Sequence, residues 1–235
     1  MIEFTSNIKF PPVELASSEG LLAVGGDLEV ATLLEAYTNG IFPWPCGDDF
    51  PLTWFSPNPR GVLFFSEIHR PRSLQKFINK SMSKYRVYFN RDFPSVIREC
   101  AKATRPSIER DDMSTSSFAT WITEEIISAY INLHLAGLAY SVEVYETSKE
   151  MLVGGVYGVN IGHYYSGESM FYKHTNASKI ALLALADELS KQGIAWLDTQ
   201  MVTPVVKHLG GREIDREEFR ALLTNAITKE HFTLR

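Results

Sequence analysis

Three runs rich in apolar, β-branched and aromatic residues follow one another at 139–145, 152–160 and 163–170, with only a few turn residues between them. Gaps this short cannot carry a crossover, so each run can only return beside the previous one as an antiparallel strand. A β-meander therefore sits at the centre of the chain, and the remaining elements have to be arranged around a sheet. The middle run contains Gly154-Gly155-Val156-Tyr157-Gly158. With no Lys-Ser/Thr and no helix after it, this is not a phosphate loop; glycine inside a strand marks a place where something approaches the backbone closely.

The flanks alternate helix and strand. After the meander, Asn176 is placed to cap a helix running through Ile180, Leu183, Leu185 and Leu189 to a stop at Gly193, and an apolar strand leads to Gln200. Asp215 with Glu218 three residues on resembles a capping box for a closing helix that ends near Ile227. Towards the start, Val30, Leu33, Leu34 and Tyr37 keep helical spacing between a Gly25-Gly26 turn and a stop at Gly40. Residues 42–60 carry five prolines among Trp44, Trp54 and Phe55, a composition of loops and short strands. An extended stretch at 62–65, a basic helix and a strand at 85–90 come next.

Beyond them, a helix from Pro94 to Ala103 turns Val96, Ile97 and Cys100 inward behind an Asp92 cap. The polar stretch 105–120 reads as a long loop, and a helix from Trp121 to Ala136 carries Ile122, Ile126, Tyr130 and Leu133 on one face. This order predicts an α+β fold with a mixed, largely antiparallel sheet, divided into a small N-terminal domain at 1–60 and a larger one at 61–235.

Composition narrows the function classes. In 235 residues no apolar run approaches the length of a membrane span, and the first residues lack the basic start and apolar stretch of a secretion signal, so a cytoplasmic protein without a membrane partner is expected. Cys46 and Cys100 lie far apart, the six histidines are scattered, and neither HExxH nor CxxC occurs; neither a disulfide framework nor a metal site is expected. The net charge is −5, yet residues 70–91 contain seven bases and no acid. Arg72, Lys76 and Lys80 recur every four residues and form a stripe on one helix face, the pattern of a phosphate-binding surface and equally of an ordinary solvated face.

The chemistry concentrates near the end of the last strand. Asp198 and Gln200, one residue apart, emerge on the same face of a strand. Alone they would read as a strand fraying into a polar loop. Glu168, set among Tyr164, Tyr165, Met170 and Phe171, adds a second carboxylate, so two acids, an amide and an apolar floor predict a concave site. The Gly167-Glu168-Ser169-Met170-Phe171 run is a poor nucleophile elbow, because Phe171 stands where glycine is needed. Trp44 and Trp121 sit beside turns, where an indole either seals a core edge or offers a stacking face to a nucleobase.

Several segments together resemble the leucyl/phenylalanyl-tRNA-protein transferase family: Gly20-Leu21-Leu22-Ala23-Val24-Gly25-Gly26-Asp27-Leu28, Gly40-Ile41-Phe42-Pro43-Trp44, Ser56-Pro57-Asn58-Pro59-Arg60, Thr120-Trp121-Ile122-Thr123, Leu152 through Gly158, Gly167 through Phe171, Asn176-Ala177-Ser178-Lys179 and Asp198-Thr199-Gln200. The resemblance runs in order from about Gly20 to about Asn225. It implies a cytoplasmic enzyme that moves Leu or Phe, and less well Met, from charged tRNA onto an N-terminal Arg or Lys, creating an N-degron. It also implies a small N-terminal domain followed by a GNAT-like acyltransferase domain, with no cofactor.

Carried over residue by residue, the resemblance places the terminal adenosine of the tRNA between Trp44 and Trp121, with Tyr37 and Tyr130 nearby. Val156, Tyr165, Met170, Leu182, Leu185 and Leu197 form the donor side-chain pocket, and Asp198, Gln200 and Glu168 the catalytic group. The tRNA backbone is expected along Arg72, Lys76 and Lys80, and the protein is expected to act as a monomer.

The chemistry agrees with this. An aminoacyl ester is already activated, so amide formation needs alignment and proton management but neither ATP nor metal. The attacking α-amine has a pKa near 8 and is mostly protonated at neutral pH. Gln200 is no base, but its carbonyl oxygen can accept from the amine and orient it while Asp198 holds the amide. Glu168 either meets the acceptor's cationic end or fixes the ribose and ester. An acetyl-CoA-dependent acetyltransferase would instead carry a pyrophosphate-cradling glycine turn at a helix N-terminus, and none follows the central strands. A peptidoglycan aminoacyltransferase would be longer. A non-catalytic RNA-binding module would keep the basic stripe and the indoles without needing Glu168, Asp198 and Gln200 together.

Overall fold

The computed structural model describes residues 6, 8–46, 50–103 and 121–234, so the stretch 105–120, expected to be a long loop, lies outside the described residues. The meander forms as β6 (Ala139–Glu146), β7 (Met151–Ile161) and β8 (Tyr164–Tyr172), each antiparallel to its neighbour. The full sheet has seven strands in the order β10-β4-β9-β8-β7-β6-β5, where β4 is Arg60–Phe64, β5 Tyr85–Phe89, β9 Trp196–Gln200 and β10 Arg212–Ile214. A second sheet of three short strands, β1 (Leu21–Val24), β2 (Phe42–Pro43) and β3 (Thr53–Phe55), lies in the order β1-β3-β2.

One pairing breaks the antiparallel rule. β8 and β9 run parallel, in register at Ser166 and Asp198, because the helix α5 (Ala177–Lys191) carries the chain back between them. That helix lies tight on β7: a Cβ on Gly154 would stand 2.5 Å from the Cβ of Ala177. The glycine-rich run thus serves close approach, as its sequence implied.

Helices cover both faces of the large sheet. α3 (Phe93–Lys102), α4 (Glu124–Leu135) and α7 (Arg216–Ile227) bury Val96, Ile126, Leu133 and Phe219 in one apolar cluster, shared with α1 (Val30–Thr38) and Trp54 of the small sheet. α2 (Arg72–Ser81) and α5 bury Leu74, Ile180, Leu183 and Leu189 in a second cluster on the other face. The expected caps of α3 and α7 form, with Asp92 accepting from the Ser95 N–H at 3.2 Å and Asp215 from the Glu218 N–H at 2.8 Å.

Asn176 departs from expectation. It precedes α5 in the left-handed region, at φ 66°, and makes no capping bond; its side chain accepts from Lys179 Nζ at 3.3 Å instead. The short helix α6 (Pro204–His208) and β10 were not anticipated, though Thr203, accepting from the Val206 N–H, and Pro204 are ordinary helix-start residues.

Candidate active site

Asp198 and Gln200 point, as strand geometry requires, to the same face of β9, but the bond expected between them is not the one formed. Asp198, wholly buried, takes two bonds from Arg60, Nε at 2.9 Å and Nη2 at 2.7 Å, and one from the Tyr164 hydroxyl at 2.6 Å. Its fourth donor is the backbone N–H of Gln200 at 2.8 Å, not the side-chain amide. Arg60 has its own anchor in the Gly40 carbonyl at 3.0 Å, and its guanidinium lies over Phe42 and Phe219. Burial works against the Arg60 charge, but Asp198 more than offsets it and raises the Arg60 pKa further.

The Asp198 bond matters for Gln200, which sits at φ 62°, in the left-handed region that side-chain-bearing residues seldom occupy. A carboxylate two residues back that accepts the N–H stabilises such a turn. The ladder is irregular here too, with a register shift between Gly61 and Val62 of β4; a Cβ on Gly61 would stand 2.5 Å from the Met201 carbonyl carbon. A strained backbone conformation thus falls at a residue whose side chain reaches Glu168.

The Gln200 amide nitrogen donates to Glu168 Oε1 at 2.9 Å and to Ser166 Oγ at 3.3 Å. Ser166 Oγ also donates to Glu168 Oε1 at 2.9 Å. On the other carboxylate oxygen stands the Tyr130 hydroxyl at 3.3 Å, itself in a very short hydrogen bond with the Tyr37 hydroxyl. Burial pushes the Glu168 carboxyl up to about 7, with the Asp198 charge adding to the rise, against the pull of the hydrogen bonds from Tyr37, Ser166 and Gln200. Burial likewise raises the hydroxyls of Tyr37, Tyr130 and Tyr164, so these three stay neutral donors.

A bulge aims Glu168. Tyr157 pairs with Ser169 and Gly158 with Gly167, which leaves Glu168 unpaired between them. The alternation of β8 flips across it: Tyr164 and Phe171 enter the first apolar cluster, Tyr165 and Met170 the second.

The other expected site residues fall into three places. Trp44 and Trp121, both half-buried, stack on each other at 5.8 Å between ring centroids and 26° between planes. Trp44 also neighbours Phe42, which lies under Arg60, so the indoles stand beside the polar group. Tyr37 and Tyr130 are wholly buried behind Glu168 and present no open face to a base. Val156, Tyr165, Met170, Leu182, Leu185 and Leu197 do come together, in the cluster between the sheet and α5, with Val156 opposite Met170 across the ladder. That cluster lies on the face of the sheet opposite the polar group, so the predicted apolar floor is not beside the acids but across β8 and β9 from them. Arg72, Lys76 and Lys80 are exposed along α2, and none is ion-paired among the described residues.

Sequence reasoning gave Arg60 and Ser166 no part in the site, and took Tyr164 only as part of the apolar surroundings of Glu168, not as a donor to Asp198. Arg60 had left one signal, a single arginine opening an otherwise apolar strand. No group of three or more His, Cys, Asp or Glu converges among the described residues in a way that would hold a metal ion.

The geometry can be set beside known proteins. The sequence model described as leucyl/phenylalanyl-tRNA protein transferase matches residues 62–224, and that described as its N-terminal domain matches residues 26–58. The leucyl/phenylalanyl-tRNA–protein transferase of Flavobacterium johnsoniae is 45% identical over 214 residues, 91% of this chain and 94% of its own length. That of Hydrogenovibrio crunogenus is 46% identical over 225 residues, 95% of this chain and 82% of its own. Among solved structures, L-PGS from Bacillus licheniformis aligns with 74% of this chain and 66% of its own at a TM-score of 0.42 and 10% identity. A PaiA N-acetyltransferase from Thermoplasma acidophilum in complex with coenzyme A covers 46% of this chain and 75% of its own at a TM-score of 0.33 and 18% identity. With matches to both parts of the sequence, and relatives this similar over nearly their whole length, the chain belongs to the leucyl/phenylalanyl-tRNA protein transferase family.

Proposed function

We propose that this protein transfers Leu or Phe, and less well Met, from charged tRNA to the N-terminal Arg or Lys of acceptor proteins, forming a peptide bond and an N-degron. The observation that carries the reading is the fixed Gln200 amide: with its nitrogen committed to Glu168 and Ser166, its carbonyl oxygen is left to accept from an incoming amine.

In this reading Gln200 aligns the acceptor's α-amine and Glu168 receives its proton. A carboxyl near 7 is matched to that task at neutral pH, as an ordinary glutamate carboxyl would not be. The amine nitrogen attacks the ester carbonyl carbon, the ester C–O bond breaks, and the adenosine hydroxyl leaves carrying a proton that Glu168 can return. Asp198 and Arg60 act through Gln200, by holding its backbone. Tyr37 and Tyr130 act from behind, by donating to the Glu168 carboxylate.

The donor's terminal adenine is assigned to Trp44 and Trp121. Stacked rings are spaced about 3.4 Å apart, so a base between two indoles needs their planes about 6.8 Å apart. The indoles, stacked on each other here, therefore part to take it. The donor side chain is assigned to Val156, Tyr165, Met170, Leu182, Leu185 and Leu197, and reaches them from the polar face by crossing the sheet where β8 and β9 meet. Met170, unbranched, suits a pocket that takes more than one shape. The unneutralised stripe of Arg72, Lys76 and Lys80 is assigned to tRNA phosphates, without base reading. We further propose a division near residue 60 into a small and a large domain, and a monomer working in the cytoplasm.

Labelled Leu-tRNA and an Arg-initiated peptide incubated with the purified protein test the reading directly. Transfer of label to the peptide is expected. No transfer, or transfer undiminished by Gln200→Ala, overturns it.

A further inference from the structure

We propose, on the donor route assigned above, that Gly167 sets donor selectivity: its missing side chain is the space through which the aminoacyl group passes from the polar face to the apolar cluster. Every other described glycine has a reason within the fold. Some lie at positive φ, such as Gly40 at 72° and Gly162 at 57°. The rest have an atom where a Cβ would stand, at 2.2 Å for Gly158 (Ser166 O) and 3.0 Å for Gly155 (Val142 O). Gly167 has neither. Its φ is outside the left-handed region, and the three atoms nearest to a Cβ there would be Asp198 O at 3.5 Å and Leu197 Cδ1 and Cδ2 at 3.6 Å, ordinary van der Waals contacts.

A glycine inside a strand weakens it and marks either a bulge or a close approach; the bulge at Glu168 lies beside Gly167, but with φ outside the left-handed region it does not require glycine there, which points to a ligand close to the backbone. The position fits that use. Gly167 lies between Ser166 and Glu168, next to the one register pair joining the parallel strands, Ser166 with Asp198. Its absent Cβ would project towards Leu197, a member of the apolar cluster, while the residues on either side bond to the Gln200 amide. The passage from amide to apolar cluster therefore runs over Gly167, and the donor's Cα and Cβ occupy the place of the missing methyl.

Gly167→Ala tests this. The variant is expected to fold with an unchanged or slightly raised unfolding midpoint, since alanine fits the space and restricts the unfolded chain. Its affinity for uncharged tRNA is expected to equal that of the unaltered protein. Transfer is expected to fall by about 10-fold or more in kcat/KM, within the about 10–200-fold that one methylene is worth in a pocket. The loss is expected to be greater for Phe than for unbranched Met, so that the Phe to Met ratio changes. If Phe and Met transfer both stay within about twofold, or fall equally together with the unfolding midpoint, the proposal is overturned. If the unaltered protein transfers nothing, the donor reading fails first, and that outcome is distinct from either of these.

Discussion

Glu168→Gln isolates a carboxyl whose titration the fold displaces into the neutral range. The substitution keeps the shape and the bonds that one oxygen accepts from Ser166 and Gln200; the other oxygen, which accepts from Tyr130, becomes an NH2 that donates to that hydroxyl instead, and the ability to ionise is lost. Because the folded-state pKa is raised, from 4.5 to about 7, the folded protein holds a proton here that the unfolded chain has released. The resulting stabilisation is fully present below the unfolded pKa and is lost as pH rises through the folded one. In full the shift is worth roughly 3 kcal/mol, most of it gained between about pH 8 and about pH 5.

The measurement is equilibrium unfolding of both proteins across that range. Relative to Glu168→Gln, the unaltered protein should gain roughly 2–3 kcal/mol on acidification, or about 5–10 °C in Tm for a chain of this size. Titration of other groups cancels in the comparison. A difference that stays constant from about pH 8 to about pH 5, or that grows in the opposite direction, refutes the displaced titration and with it the role of Glu168 as proton acceptor. The same variant should transfer poorly at neutral pH although its Gln200 amide remains held.

Arg60→Met strands the wholly buried Asp198 without a counter-charge and should cost about 3–5 kcal/mol in chemical denaturation; Arg60→Met with Asp198→Asn should recover part of the loss. Gln200→Ala and Gln200→Gly should both abolish transfer, but the glycine variant should be the more stable by about 1 kcal/mol, because φ near 62° suits it, and equal stability would deny the strain at this residue. Trp44→Ala or Trp121→Ala should weaken binding of an aminoacyl-adenosine by about 1–3 kcal/mol, measured by calorimetry, and no loss would remove the stacking assignment. Lys76→Ala and Lys80→Ala should each lower the slope of log tRNA affinity against log salt by about 1, and an unchanged slope would return α2 to an ordinary solvated face.

What the sequence made legible follows from range of interaction. The meander, the α3 and α7 caps and the shared face of Asp198 and Gln200 are decided by residues within a few positions of one another, and they are present as expected. β10, three residues long, exists because Arg212–Ile214 pairs with β4, and such a short strand leaves no periodicity to read. Arg60 and Asp198 are 138 residues apart, and only the sheet order β4-β9-β8 brings Arg60, Asp198 and Tyr164 together. The bulge at Glu168 was hidden for a related reason. Alternation through 164–170 predicts one face throughout, and the single unpaired residue that sends Met170 to the other cluster is set by the facing strand β7. That flip puts Met170 on the face opposite Glu168, where Tyr165 and Leu197 already lie by ordinary alternation with Ser166 and Asp198.

The two buried carboxylates show how one sheet supports different chemistry at adjacent strands. Asp198 faces a guanidinium in bidentate contact, a hydroxyl and a backbone N–H, so its charge is matched and its oxygens are fully occupied. Glu168 faces only neutral donors, from Ser166, Gln200 and the Tyr130–Tyr37 pair, with the Asp198 charge nearby. The two environments divide the work: Asp198, matched by Arg60, holds structure, while burial raises Glu168 to about 7, where it can exchange a proton near neutrality. Gln200 connects them, bonded through its backbone to the first and through its amide to the second. The left-handed turn at Gln200 is therefore best understood as the strain that lets a single residue be fixed by one carboxylate and presented beside the other.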